Sequence, residues 1–384
     1  MHYPKVLQNP KRLKNPMKYL VGMSGGIDSS VSAVKLKKEG HDVIGVHMIL
    51  WAEDMHKNKC CNTGDLMWAR KVATDHGITF YTIDFREVFK KRIVEDAYLS
   101  VYEQGMTPNP CVSCNRNIRF GALLEKGLEL GVDKVCTGHY AKVVEEQGIF
   151  RLKAGRDKSK DQSYFLHRVT QEKLSRMHFP LGEMLKSEVI ELAKEWGLIN
   201  PNRIKKESQD LCFLPEKTPE PFLNRNLKKS WKEGEIVTTQ GKKVGNHRGL
   251  PFYTMGQRKG LDIGGLAEPL YVIGKDSKKN QVIVGKKEEG SVSRIHLRKL
   301  SLTTPDFDES KTYDLKIRYA GQSFKGRIKR VGESYSDDSG KLWNAEVELE
   351  TAIESATPGQ FVVAYDGEYC VGGGEIVDKI KYIC

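Results

Sequence analysis

Two groups of residues in this chain have the types and spacing that chemistry needs. The first is the loop Gly22, Met23, Ser24, Gly25, Gly26, Ile27, Asp28 and Ser29, a Ser-Gly-Gly-x-Asp-Ser pattern. It follows an apolar run, Tyr19-Leu20-Val21, that reads as a buried strand. It opens a helix-like stretch, 29–39, that Gly40 ends. Strand, glycine turn and helix N-terminus together make an anion site. Glycines let backbone approach phosphate oxygens, and the helix dipole favours negative charge. Ser24 and Ser29 add hydroxyl donors. A Walker loop would place Lys and Ser or Thr after its last glycine, and nowhere in this chain does Gly-Lys precede Ser or Thr. Without that lysine on the terminal phosphates, the loop is expected to hold a leaving pyrophosphate, with ATP cleaved to AMP.

The second group is sulfur. Cys111 and Cys114 form a CxxC in Thr107-Pro108-Asn109-Pro110-Cys111-Val112-Ser113-Cys114-Asn115, just ahead of an expected helix. Two prolines stiffen the approach. Cys114 is expected at or near the helix N-terminus, where the dipole favours the thiolate that a nucleophile or metal ligand must be. CxxC alone admits a redox pair, half a metal site or two incidental thiols. A distant cysteine, Cys212, lies in Glu207-Ser208-Gln209-Asp210-Leu211-Cys212-Phe213, where composition alone suits a buried structural thiol equally well.

The elements that must position these groups alternate through the first half. Strands are expected at 18–23, 42–50, 78–85 and 134–143. Helices are expected at 29–39, 65–76, 86–104, 115–130, 171–177 and 186–196. Alternation of this kind implies an α/β fold with a doubly wound parallel sheet and ligands at the strands' C-terminal ends. The character changes near Leu214, where Pro215, Pro219 and Pro221 mark a boundary. Residues 222–290 are glycine-rich, with short strands expected at 269–273 and 281–284. Beyond 291 the pattern is all β, with strands at 314–319, 323–331, 342–349 and 360–365, suggesting a small barrel or sandwich. The expected domains are a basic extension at 1–17, a catalytic domain at 18–214, a small central domain at 215–290 and a C-terminal β domain at 291–384.

The chain has 384 residues, 39% of them hydrophobic, which is enough for folded cores. Lys and Arg number 62 against 50 acids, a formal charge of +12. A metabolic enzyme has little need of that excess, whereas a nucleic-acid binder does. No apolar run approaches a membrane span. Residues 1–17, with Lys5, Lys11, Arg12 and Lys14, are too polar for a secretory signal and unlike a transit peptide. A bacterial cytoplasm is therefore expected. Eight cysteines in a reducing compartment point to chemistry or metal rather than structural disulfides.

The Ser-Gly-Gly-x-Asp-Ser loop resembles that of the PP-loop ATP pyrophosphatases, which include amidating ligases and tRNA-thiolating enzymes. Further segments narrow the resemblance: TPNPCVSCNRNIRF at 107–120, TGHYA at 137–141, KDQSYFL at 160–166, ESQDLCFL at 207–214 and YTMGQRKGLDIGG at 253–265. Together, over residues 18–384, they resemble the tRNA 2-thiouridylase family in order and spacing. The resemblance implies a PP-loop domain, a small central tRNA-binding domain and a C-terminal β-barrel like that of translation factors. It implies conversion of the wobble uridine of tRNAs of the Lys, Glu and Gln type to 2-thiouridine. ATP with Mg²⁺ adenylates the uridine O2, and a sulfur nucleophile displaces AMP.

The resemblance also assigns roles. Residues 22–29 bind the triphosphate, with Met48 and Gly138 flanking the adenosine. Cys212 receives sulfur as a persulfide from a cysteine desulfurase or a sulfur-relay protein. Cys114 attacks that persulfide, releasing sulfide and leaving a Cys114–Cys212 disulfide. Asn109, Pro110 and Cys111 lie against the target base. His139, Lys160, Asp161, Gln162, Arg318, Tyr319 and Gln360 lie near or touch tRNA. Best-known members carry aspartate where this chain has Cys111. That departure opens a second reading, in which Cys111, Cys114 and Cys212 ligate three irons of a [4Fe-4S] cluster and leave the fourth open to sulfide. Zinc is a third. Cys60 and Cys61 follow the second strand, Cys136 reads as core, and Cys370 and Cys384 are remote.

RNA has its own expected surfaces. Arg258 and Lys259 sit in a basic glycine loop suited to phosphate. Between 311 and 330, Lys311, Lys316, Arg318, Lys325, Arg327, Lys329 and Arg330 interleave with Tyr313, Tyr319 and Phe324 against a single acid, Asp314. Such a patch suits phosphate charge with base stacking, or a solvated sheet face. A PP-loop ligase acting on a small molecule is the alternative function. It leaves the cysteine set and the basic β region without a use.

Overall fold

A computed structural model describes residues 15–53, 63–201, 211–216, 218–227, 231–264, 268–336 and 342–380. The chain divides into two compact units. One holds residues 1–90 and 114–217, the other 91–113 and 218–384.

The first unit is built on a parallel sheet. Strands β1 (Lys18–Gly22), β2 (Asp42–Ile49), β3 (Thr79–Asp84), β4 (Lys134–Cys136) and β7 (Met177–His178) lie in the order β3-β2-β1-β4-β7. β1 pairs in parallel with β2 through Leu20↔Ile44 and with β4 through Leu20↔Val135. A strand covered on both faces must be apolar throughout, and Leu20 and Val21 are fully buried. Each such side chain contributes roughly 1.5–3 kcal/mol by burial. Helix α1 (Ile27–Lys38) presents Val31, Val34 and Leu36 to this core. Gly45 on β2 leaves room for Met23, because a Cβ there would lie 2.6 Å from the Met23 sulfur.

The strand order reverses between β1 and β4, so the loops leaving these two strands diverge and open a crevice. This explains one difference from expectation. The stretch 134–143 is not one strand. β4 ends at Cys136, residues 137–140 form the loop at the reversal, and Ala141 begins β5 (Ala141–Glu146), which pairs with β6 (Ile149–Ala154) as an antiparallel hairpin. The helix expected at 86–104 is continuous, but over Lys90–Leu99 it widens into π-helical turns. The helix expected from 115 begins earlier, at Pro110. It is α-helical over Pro110–Cys114, π-helical over Asn115–Ala122 and α-helical over Leu123–Glu129. Proline fits the first helical position because its missing N–H needs no partner there.

In the second unit, β8 (Gly234–Thr238), β9 (Lys243–His247), β10 (Tyr271–Asp276) and β11 (Gln281–Gly285) form a sheet in the order β10-β11-β8-β9. A separate closed barrel follows. Strands β12 (Val292–Leu302), β15 (Leu342–Ile353), β14 (Ser323–Ser336), β13 (Tyr313–Lys316), β16 (Phe361–Asp366) and β17 (Tyr369–Ile380) run in that order, and β12 pairs back onto β17. Closure removes the sheet edges. Ile295, Leu297, Leu315, Ile328, Val347 and Val362 fill its interior. Among the described residues, no helix is long and apolar enough to cross a membrane.

Candidate nucleotide and sulfur site

The loop after β1 is drawn tight by its own groups. The Met23 N–H donates to the Val46 carbonyl at 2.7 Å, extending the β1–β2 pairing one residue into the loop. The chain then turns at Gly25, whose φ of +76° suits glycine. A Cβ there would strike the Asp65 backbone. Gly26 enters α1 with no side chain in the capping position. The first amides of α1 are therefore not covered by a cap, as an anion site requires. Ser29 stitches the loop. Its Oγ accepts from the Ser24 N–H at 3.1 Å and donates to the Gly26 carbonyl at 3.0 Å. Of the two serines expected to donate to phosphate, Ser24 is exposed and Ser29 is only 6% exposed. Met48, at the end of β2, lies beside the loop's first residue, with its methyl carbon 3.7 Å from where a Gly22 Cβ would stand.

The loop after β4 closes against this one. A Cβ on Gly138 would lie 2.9 Å from the Asp28 Cβ and from the Ser29 nitrogen. Only glycine permits that approach. The next residues are locked inward. His139 is 4% exposed. Its Nδ1 is 2.6 Å from the Thr137 hydroxyl and its Nε2 is 3.1 Å from the Arg119 guanidinium. Burial, reinforced by Arg119, pushes its pKa well below the ordinary value, so the ring is neutral. Asp161 is likewise turned inward. At 5% exposure, it accepts from the Gly155 and Ser163 N–H groups at 3.1 Å and from the Ser163 hydroxyl at 2.9 Å. Gln162 accepts the Tyr140 N–H at 3.1 Å and returns its own N–H to the Tyr140 carbonyl. His139 and Asp161, both expected near the tRNA, are thus buried polar residues. Their polar atoms shape the 137–140 loop and face the protein, while Lys160 is half-buried beside them.

Sequence reasoning missed the partners of Asp28. The Tyr140 hydroxyl donates to its Oδ1 at 2.8 Å, and Lys186 Nζ lies 2.7 Å from Oδ1 and 2.9 Å from Oδ2. Lys186 stands 158 residues away in the chain, a separation that no local pattern reveals.

Cys114 is half-buried, in a helix already begun at Pro110. It is therefore the fifth helical residue, a turn later than expected, and Cys111 occupies the first turn where the dipole is strongest. Cys111 is exposed. Cys212, half-buried, sits in the same unit as Cys114 and beside Phe213, whose ring packs edge-on against Phe89 at 5.9 Å. Cys136 is fully buried, and burial pushes its thiol well up, which fits a core role. Cys60, Cys61, Cys384 and the segment 207–210 lie outside the described residues. Among the described residues, no group of three or more His, Cys, Asp and Glu side chains gathers as a metal site.

In the second unit, Asn109 and Pro110 end a loop anchored on the barrel. The Thr107 N–H donates to the Pro358 carbonyl at 2.9 Å, and Gln360 Nε2 donates to the carbonyls of Thr107 and Pro108. Gln360, expected to touch tRNA, spends its side-chain donor on this loop. Arg258 and Lys259 are exposed on a turn that Gln257 organises, its side chain accepting the Thr254 N–H and donating to the Lys259 carbonyl. The barrel's basic patch is partly neutralised. Lys311 pairs with Asp366, Lys325 with Asp314, Lys329 with Glu348 and Arg330 with Glu309. Arg318 and Arg327 are exposed and carry no ion pair among the described residues. Tyr319 is half-buried next to Arg318.

Comparison with known proteins agrees with the fold. Residues 17–216 match the family described as the tRNA methyl transferase HUP domain, 220–286 its PRC-barrel domain, and 292–376 the aminomethyltransferase beta-barrel domain. The chain is 39% identical over 364 residues to a protein of Clostridium acetobutylicum named tRNA-specific 2-thiouridylase MnmA, covering 94% of this chain and 99% of the relative. It is 41% identical over 372 residues to one of the same name from Treponema denticola, covering 95% and 99%. Among solved structures, a U34-tRNA thiolase NcsA from Methanococcus maripaludis with its [4Fe-4S] cluster overlaps 57% of this chain and 69% of its own, at 20% identity and a TM-score of 0.34. A 4-thiouridine synthetase–RNA complex with bound ATP overlaps 56% and 50%, at 17% identity and a TM-score of 0.34. Overlaps this small carry no argument about chemistry. Identity of about two residues in five over nearly the whole length does: the chain belongs to the tRNA-specific 2-thiouridylase family.

Proposed function

We propose that this protein is an ATP-dependent tRNA sulfurtransferase that converts the wobble uridine of tRNA to 2-thiouridine, releasing AMP and pyrophosphate. The observation that carries this reading is the pairing of a cap-less, glycine-walled helix N-terminus with the Gly138 loop at the sheet's reversal, in a chain so similar to curated 2-thiouridylases. Residues 22–29 bind the triphosphate. Met48 and Gly138 flank the adenosine, and Asp28 is the residue that would hold Mg²⁺, which would neutralise phosphate charge. The uridine O2 attacks the α-phosphorus, forming an O2–AMP bond and expelling pyrophosphate.

Sulfur then arrives on Cys212. A cysteine desulfurase or relay protein transfers a sulfur atom to the Cys212 thiolate, making a persulfide. The Cys114 thiolate attacks the Cys212 sulfur. A Cys114–Cys212 disulfide forms and hydrosulfide leaves. Hydrosulfide adds to C2 and AMP departs with the O2 electron pair. The disulfide accounts for the two electrons, and a dithiol reductant resets both thiols. Two half-buried thiols in one unit suit this route. The substrates are tRNAs of the Lys, Glu and Gln type, acting in a bacterial cytoplasm. Asn109, Pro110 and Cys111 face the target base. Arg258, Lys259, Arg318 and Tyr319 meet the tRNA. We read 18–214 as the catalytic domain, 215–290 as the central domain, 291–384 as the barrel and 1–17 as a basic extension.

The test is AMP release. With ATP and Mg²⁺, AMP should form rapidly only when unmodified cognate tRNA is present. Release driven instead by an amino or carboxylate metabolite would mark a small-molecule ligase.

A further inference from the structure

Residues 104–108 carry the chain from the helix Ser100–Glu103 into the loop before Asn109. Their main-chain groups are held one after another. The Gly105 and Met106 N–H groups donate back to the Tyr102 and Val101 carbonyls at 2.9 and 3.1 Å, closing the helix. Gly105 turns the chain there with a φ of +72°. Thr107 and Pro108 are held by the barrel, through Pro358 and Gln360. The Gly105 carbonyl is left to the central sheet. Lys275 Nζ donates to it at 3.0 Å, across 170 residues of sequence.

A lysine is a costly choice for that task. Lys275 stands on β10 directly opposite Val282 of β11, which is fully buried. Residues opposite one another in an antiparallel pair share a face, so the lysine stem leaves from the core side of this sheet. A β-bulge puts it there. The register slips between Val272 and Gly274, so Val272 and Lys275, three residues apart, both come to the core face, opposite Val284 and Val282. Among the described residues no carboxylate pairs with Lys275, and burial pushes its pKa down from 10.5 to about 8. An ammonium held in the interior against a neutral carbonyl loses hydration that an apolar side chain never had. A local rule broken in this way points to a use beyond folding.

The same strand holds the basic turn. The Val272 N–H donates to the Gln257 carbonyl at 2.9 Å, and the Gly256 N–H donates to the Val272 carbonyl at 2.8 Å. Arg258 and Lys259 follow directly, both exposed. β10 therefore ties a turn suited to phosphate to the chain that enters the loop at 109–111.

We infer that Lys275 is a positioning residue of the thiolation reaction: by fixing the Gly105 carbonyl it sets the loop at 109–111 relative to the basic turn at 258–259. This rests on the sulfurtransferase reading above, which places the target base against that loop and tRNA against that turn. The competing role is a structural tie that does no more than close the helix end, as a cation at a helix C-terminus does.

Lys275→Met separates the two, because it keeps the stem and removes the donor. At saturating ATP and unmodified tRNA, its single-turnover rate of pyrophosphate release should fall by at least about tenfold. Its Kd values for ATP and tRNA should stay within about twofold of the parent, and its melting temperature should not fall. The Thr107 and Asn109 amides should exchange faster than in the parent. Lys275 and Gln360 hold the same short segment, so Lys275→Met/Gln360→Ala should lose much less than the product of the two single losses. A Lys275→Met rate within about twofold of the parent, multiplicative losses in the double variant, a loss carried wholly by the tRNA Kd, or melting well below the parent would overturn the assignment. The parent protein is assayed alongside for 2-thiouridine. If it makes none, the sulfurtransferase reading itself fails; if it does and Lys275→Met matches it, only the role of Lys275 falls.

Discussion

Gln360, at the mouth of β16 on the barrel, donates its side-chain amide to the main-chain oxygens of Thr107 at 2.9 Å and Pro108 at 3.2 Å. The loop that leads to Asn109, Pro110 and Cys111 therefore takes its shape from the barrel 250 residues later in the chain, as the sequence separation of 253 between Gln360 and Thr107 records. Its neighbour Gly359 has a φ of +89°, and a Cβ there would lie 2.6 Å from the Thr107 carbonyl oxygen. Gln360→Ala should loosen 105–109 by about 1 kcal/mol per lost hydrogen bond, seen as roughly tenfold faster amide exchange across those residues. Thiolation should fall with it while ATP affinity stays. Exchange confined to its parent rate would show that Gln360 does not hold the loop.

Gly138→Ala should be disproportionately harmful. The added methyl meets Asp28 and the Ser29 nitrogen at 2.9 Å, both main structural parts of the nucleotide loop. Backbone cannot yield there as a long side chain would. We expect ATP affinity to drop by about tenfold or more, some 1.4 kcal/mol, with a smaller loss of thermal stability. Calorimetric titration with ATP checks it. Unchanged affinity would mean that the two loops separate readily.

Lys275 on β10 donates to the Gly105 carbonyl at 3.0 Å, just ahead of the same loop. Burial pushes its pKa down from 10.5 to about 8. The folded-state value lies below the unfolded one, so between about pH 8 and 10 the unfolded chain binds more protons and stability rises with pH. Below about 8 the ammonium is charged in both states and its burial penalty is present in full. Lys275→Met removes that penalty. The stability of the variant relative to the parent should therefore fall as pH goes from 7.5 to 9.5, in urea titrations of both proteins. A difference independent of pH would contradict the assignment.

On the barrel, charge already balanced should matter less than charge left over. Arg318→Ala and Arg327→Ala should each weaken tRNA binding and reduce the slope of log Kd against log salt by about one. Lys325→Ala and Lys329→Ala should do less, since Asp314 and Glu348 partner those lysines. Filter binding at several salt concentrations measures all four. Equal losses would mean that the acids move aside when RNA binds.

What was legible in the sequence was what short-range physics decides. The run Tyr19-Leu20-Val21, the glycines and α1 announced a strand, an anion loop and a helix, and the fold has them in those places. The α/β domain, the small central sheet region and the terminal barrel were legible from alternation and turn spacing. Less legible were features set by topology. The break at 137–140 follows from the reversal of strand order, which no run of apolar residues marks. β12 and β17 escaped because basic residues fill part of the first and Gly372, Gly373 and Gly374 dilute the second, although those glycines let the neighbouring strand approach. The start of the Cys114 helix was misplaced because Pro110 reads equally as a loop residue and as a first helical residue. Asp28 with Lys186, and Thr107 with Gln360, are long-range pairs, and the inward turn of His139 and Asp161 depends on burial that spacing does not encode.

The most direct measurement is nucleoside mass spectrometry of unmodified cognate tRNA. The tRNA is incubated with the purified protein, Mg²⁺, a cysteine desulfurase with its relay, and ATP present or withheld. The account expects 2-thiouridine at the wobble position only with ATP, and none from Cys114→Ser or Cys212→Ser protein that still binds ATP and tRNA. Thiolation that proceeds in either cysteine variant, or no ATP-dependent 2-thiouridine from the parent protein with both substrates bound, would contradict it.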